Sequence, residues 1–136
     1  MRKKEITMIT ATYASLLALM LVTLSFRVIA LRGMPAFKWF AFGNNGEDGL
    51  QRAIRAHGNL IEYAPIFLIL MLIAEMGGLK ANALHSYGVV FLVARLMHGY
   101  CFGFLKHSMV LRVGGTSLTL FSILGLAILV LIRYSG

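Results

Sequence analysis

The chain has 136 residues, 59% of them hydrophobic and 13% charged, with a mean hydropathy of +0.80. Ordinary globular domains are about 45–50% apolar and about 25% charged, and a soluble chain this short has no core large enough to hide the excess. The net charge of +8 does not point to nucleic acid, because the 13 Lys and Arg are scattered at the ends of apolar runs without forming a basic stripe. That distribution suits lipid headgroups and an anionic ligand. Cys101 is the only cysteine, which excludes an intrachain disulfide and a cysteine metal cluster; its apolar surroundings predict a buried, inert thiol.

The run Ile6 to Phe26, ITMITATYASLLALMLVTLSF, carries no charge and covers about 30 Å as a helix, a full hydrocarbon core. The MRKK ahead of it suits a signal peptide. The run is longer than the usual h-region of about 7–15 residues and no small-residue cleavage site closes it, so it is read as a retained first span, about 6–31. A polar stretch from Arg32 to Gly49 follows, with GNNGEDG as a loop by its Gly, Asn and Asp content. The second span runs over about 50–75 and stops at MGG. The third covers about 81–105. Lys106 to Gly115 form a second polar loop, and the fourth span covers about 116–133. The predicted fold is all-α: a single domain over 1–136, an integral membrane antiparallel four-helix bundle, helices being the only open option in lipid. The placement of Lys and Arg is nearly even between the two sides and favours cytoplasmic first and third loops only slightly.

The second span opens on RAIRAHGNLIEY. On a helical wheel Gln51, Arg52, Asn59, Glu62 and Tyr63 fall within about 80° of Arg55. The segment from Ala64 to Ala74 is apolar all round and covers only about 16 Å, so the stripe sinks into the bilayer. An Arg facing lipid costs about 2.5–3.5 kcal/mol on insertion scales; the stripe therefore faces protein, water or a polar ligand. An interhelical Arg–Glu network and snorkelling of Arg52 and Arg55 are the structural alternatives to a binding site. His57 lies about 160° from the stripe on the same wheel. The histidines show no HxxxH or HxxE pairing, and no metal site is expected.

In the third span, ARLMHGYCFGFLKH, the residues Arg95, His98, Phe102 and Lys106 share a face. Gly99 and Gly103 form a small-xxx-small pair that admits a neighbouring backbone. Arg95 is too deep to snorkel and wants an anionic partner, either Glu62 or a bound carboxylate.

RAIRAHGNLIEYAP closely resembles the signature of the MAPEG superfamily, membrane-associated proteins in eicosanoid and glutathione metabolism. Arg55, Asn59, Glu62, Tyr63 and Pro65 carry the match. ARLMHGY resembles the motif of the third span, especially in a bacterial branch of the superfamily. The resemblance implies a homotrimer with glutathione sites between neighbouring subunits, opening toward the cytosol, in the inner or cell membrane of a bacterium. It implies glutathione contacts from Arg55, Asn59, Glu62 and Tyr63 on the second span and from Arg95 and His98 on the third. Arg32 and His57 match positions that reach the ligand from the adjacent subunit.

Glutathione would be the cosubstrate, and the reaction conjugation to a lipophilic electrophile or reduction of a lipid hydroperoxide by a stabilised thiolate. Arg112 is the nearest counterpart of the arginine that activates the thiol in eukaryotic members, displaced by one to three residues. Lys106 and His107 are the other candidates. Phe102 stands where the family has a tyrosine. A non-catalytic membrane scaffold retaining the fold with an altered site is the alternative reading. A transporter is disfavoured by the fourth span, TSLTLFSILGLAILVLI, which offers only Ser and Thr.

Overall fold

The computed structural model describes residues 8–43 and 46–135. Four helices follow one another: α1 (Ile9–Leu31), α2 (Glu47–Met76), α3 (Ala81–Phe104) and α4 (Met109–Tyr134), with a 3₁₀ turn at Pro35–Phe40 between the first two. Each helix is long and apolar enough to cross a membrane. The expected four-helix membrane bundle is therefore the architecture the chain adopts. The proposed start of the first span at Ile6, the MRKK before it, and Asn44 and Asn45 of GNNGEDG lie outside the described residues.

Helices α2 and α4 start earlier than the sequence reading places them. Helix α2 begins at Glu47, three residues before Leu50, because Glu47 and Asp48 in its first turn complement the positive end of the helix. Helix α4 begins at Met109, so most of the expected loop Lys106 to Gly115 is helical. Ser108 is the cause: its hydroxyl accepts the Leu111 N–H at 3.4 Å, an N-cap that starts the helix a full two turns before Thr116. Arg112 consequently sits in the first turn of α4, not on a loop.

The other ends have equally local causes. Helix α1 stops at Gly33 (φ 89°) and α2 at Gly78 (φ 78°), left-handed positions suited to glycine. After α2 the Gly78 N–H donates to Glu75 O at 3.0 Å and Leu79 N–H to Ala74 O at 2.9 Å, a Schellman closure. The first turn of α1 has no cap of its own. The Glu75 carboxylate, from the last turn of α2, supplies it: Ile9 N–H donates to Oε1 at 2.6 Å and Thr10 N–H to Oε2 at 2.9 Å. An anion at the positive end of a helix is well placed, and the contact ties the start of α1 to the end of α2.

Among the described residues α1 and α4 are not neighbours, and α2 and α3 form the shared diagonal of the bundle. Phe67 of α2 stacks on Phe91 of α3 with centroids 3.8 Å apart, both fully buried. Between helices in lipid, close packing rather than expulsion of water supplies the attraction, and small residues make it possible. Gly99 and Gly103 admit Met20 and Leu24 of α1. Gly115 of α4 lies so close to α3 that a Cβ there would stand 2.9 Å from Ala94 O and 3.0 Å from His98 N.

Arg27, absent from the sequence-derived candidates, is completely buried in α1. Its Nε donates to Gly103 O at 2.9 Å and its Nη1 to Phe40 O, and its guanidinium lies over the rings of Phe42 and Phe104 at 5.2 and 4.9 Å. Arg52 of α2 donates from Nη2 to Cys101 O at 3.3 Å. Two cations thus serve carbonyls in the last turn of α3, the negative end of that helix, which has no basic residue there itself. The same Arg27 fastens the 3₁₀ turn. Cys101 is buried and its thiol donates to Ser108 O at 3.3 Å.

Candidate ligand-binding site

Arg55, Asn59 and Glu62 recur every three or four residues along α2 and so project from one face. Across from them His98 and Phe102 rise from α3, one turn apart, and Arg112 comes from the first turn of α4. These side chains line one cavity of about 420 Å³, within the usual range of about 300–1,000 Å³ for small-molecule sites. The close seat of Gly115 against Ala94 and His98 brings Arg112 there. The Phe102 ring lies between two neighbours: His98 stacks on it at 4.5 Å and the Arg112 guanidinium stands 5.7 Å from its centroid.

Charge in this cavity is unevenly matched. Arg55 and Arg112 face one carboxylate, Glu62, which is exposed to the cavity and makes no ion pair or hydrogen bond among the described residues. Among the described residues Glu62 therefore does not form the interhelical Arg–Glu network weighed as an alternative. Lys106 and His107 stand exposed beyond the end of α3 and do not line the cavity.

Arg95 and Tyr63 stand behind this wall, not on it. Arg95 is 1% exposed. Its Nη1 donates to Asn59 Oδ1 at 2.6 Å, and its guanidinium lies 5.6 Å from the centroid of the Tyr63 ring. Its partner within the protomer is thus the Asn59 amide and not Glu62. Glu62 lies almost a turn further along α2 and points into open space.

Arg32 and His57 do not meet the other site residues. They line a separate cavity of about 230 Å³ between α1 and α2, together with Ser25 and Ile54. Ile54 borders both cavities, so α2 carries one polar opening on each of two faces.

Sequence reasoning missed two anchoring groups. Arg27 is a charge inside the apolar run SFRVIAL, and a lone charge in such a run needs partners. Glu75 is a lone acid in the last turn of α2, where its own helix disfavours it, which signals a use elsewhere.

Helices and cavity together define a four-span membrane protein with a polar site recessed among its second, third and fourth helices. The chain belongs to the MAPEG family, whose model matches residues 10–132. It is 46% identical over 95 residues, 70% of each chain, to the inner membrane protein YecN of Escherichia coli strain K12, and equally so to YecN of E. coli O6:H1 strain CFT073.

Proposed function

We propose that the protein binds glutathione, or a similar acidic thiol, in the α2–α3–α4 cavity and holds its sulfur as a thiolate for reaction with a lipophilic partner from the bilayer. The observation that carries this reading is the Glu62 carboxylate, unpaired among the described residues, sharing one cavity with two arginines and the Asn59 amide. Glutathione has two carboxylates, an ammonium, amides and a thiol. Guanidinium forks suit its carboxylates, Glu62 its ammonium, and Asn59 an amide or carboxylate oxygen.

Arg112 is the thiol-activating group. A free thiol has a pKa of about 8.5, and an adjacent cation lowers it by favouring the anion. The N-terminal turn of α4 adds its partial positive charge to the same spot. In the conjugation, the thiol loses its proton to solvent, sulfur forms a bond to an electrophilic carbon, and the leaving group departs with the bonding pair. With a hydroperoxide, sulfur instead attacks the terminal oxygen, the lipid alcohol leaves, and a second thiol converts the sulfenic acid to disulfide and water.

The MAPEG resemblance supports a homotrimer. In it the Arg32–His57 face of one protomer meets the Arg55–Glu62 face of the next, which completes each site with cations from two chains. The second reading, a non-catalytic scaffold, is favoured by Phe102, which offers the sulfur no hydroxyl.

Ultraviolet difference spectroscopy of the purified protein with glutathione tests the reading. A thiolate band in the wild type, lost in Arg112→Ala and kept in Lys106→Ala, is the expected result. Binding without a band selects the scaffold, and no binding at all overturns the glutathione-binding enzyme.

A further inference from the structure

We infer that Arg95 is a positioning residue that fixes which way the Asn59 amide faces and so makes this part of the cavity wall a hydrogen-bond donor only. The inference rests on the reading of the cavity as a site for an acidic thiol. A guanidinium carries five N–H groups and no acceptor. Any hydrogen bond between Arg95 and the side chain of Asn59 must therefore use Oδ1, and the 2.6 Å contact from Nη1 does so. A free asparagine can turn either end of its amide to a ligand. Here one end is taken from behind, and the Nδ2 hydrogens are left for the cavity that Asn59 lines.

Three further features hold this arrangement. Arg95 is nearly inaccessible, so water does not compete for Oδ1. Its guanidinium is held over the Tyr63 ring, which limits its own freedom to turn away. Among the described residues its buried Nε has no partner and no carboxylate pairs with its guanidinium. The charge is felt instead through the amide: a cation on Oδ1 draws density from Nδ2 and strengthens its N–H groups as donors. The wall thus presents donors at Arg55, Asn59 and Arg112, and an acceptor at Glu62. A ligand meets Asn59 with a carboxylate or carbonyl oxygen, and its ammonium is directed one turn along the helix to Glu62.

Asn59→Asp is the decisive variant, because it keeps the shape and the oxygen facing Arg95 while replacing the cavity-facing N–H₂ by an oxygen. Titration calorimetry with glutathione is expected to show at least tenfold weaker binding, with a melting temperature equal to or above that of the wild type, since Arg95 gains a carboxylate. Arg95→Lys, another pure donor, is expected to bind within about threefold of the wild type. Equal affinity of Asn59→Asp and the wild type overturns the inference and leaves the proposed function standing, since the ligand then accepts either end of the amide. A lowered melting temperature in Asn59→Asp also overturns it, because Arg95 is then not the partner of that oxygen. A wild-type protein that does not bind glutathione overturns the inference and the proposed function together.

Discussion

Two of the carboxylates on helix α2, Glu62 and Glu75, have opposite duties, and neutralising them one at a time separates folding from binding. Glu75 accepts two N–H groups of the first turn of α1, at 2.6 and 2.9 Å. Losing a helix cap costs about 0.5–2 kcal/mol, and losing an anion from a helix N-terminus about 0.3–1 kcal/mol more. Glu75→Ala is therefore expected to destabilise by about 2 kcal/mol and Glu75→Gln, which keeps one acceptor, by about half of that. For a chain of this size 1 kcal/mol moves the melting temperature by about 3 °C, so the drops are about 6 °C and about 3 °C.

Glu62, with no partner among the described residues, behaves as a surface group, and Glu62→Gln stays within about 0.5 kcal/mol of the wild type. Glutathione at a hundredfold its Kd adds about 2.7 kcal/mol to any variant that binds it. Thermal unfolding in detergent, with and without glutathione, reads both quantities. Glu75→Gln melts low and keeps the full ligand-induced rise, whereas Glu62→Gln melts normally and loses it. If Glu62→Gln melts as low as Glu75→Ala, its carboxylate bolts helices together and the reasoning fails. The proposed function fails if that variant keeps the whole rise.

Gly115→Val would force Cβ against Ala94 O and His98 N, at a cost of about 1–3 kcal/mol for overpacking. The displaced first turn of α4 withdraws Arg112, and the thiolate band is expected to disappear in protein that still inserts and binds glutathione. Arg27→Met keeps the stem but leaves the carbonyls of Gly103 and Phe40 unserved, costing about 1–3 kcal/mol for each one left buried. Trp39, the sole tryptophan and 72% exposed on the 3₁₀ turn, reports release of that turn as a changed emission maximum; an unchanged spectrum would refute the clamp. Phe102→Tyr adds a hydroxyl under Arg112, and a hydrogen bond to an anion is worth about 1.5–3 kcal/mol. The thiolate band is then expected to appear at a pH lower by about 1 unit. No change would place the sulfur elsewhere.

Apolar runs of bilayer length made the four spans legible, and the three-and-four spacing of Arg55, Asn59 and Glu62 put them on one face without need of coordinates. What lay beyond reach depended on contacts between helices. Ser108 is a small polar residue in a polar stretch, and its use as a cap is visible only once a helix follows it. The depth of Arg95 was readable, but its partner among the described residues is a neutral amide backed by Tyr63 and not the Glu62 carboxylate. Glu75 and Arg27 serve backbone atoms of distant helices, and backbone partners leave no mark in a side-chain pattern.

The Glu75 clasp has a bearing on biosynthesis. Donor and acceptor both belong to the first two helices, so an α1–α2 hairpin can fasten at its open end as soon as the last turn of α2 leaves the translocation machinery. Arg27 finds Gly103 only after α3 has been made, and Gly115 seats against α3 last of all. Insertion can thus proceed as a ratchet, each newly synthesised helix locking one made before it.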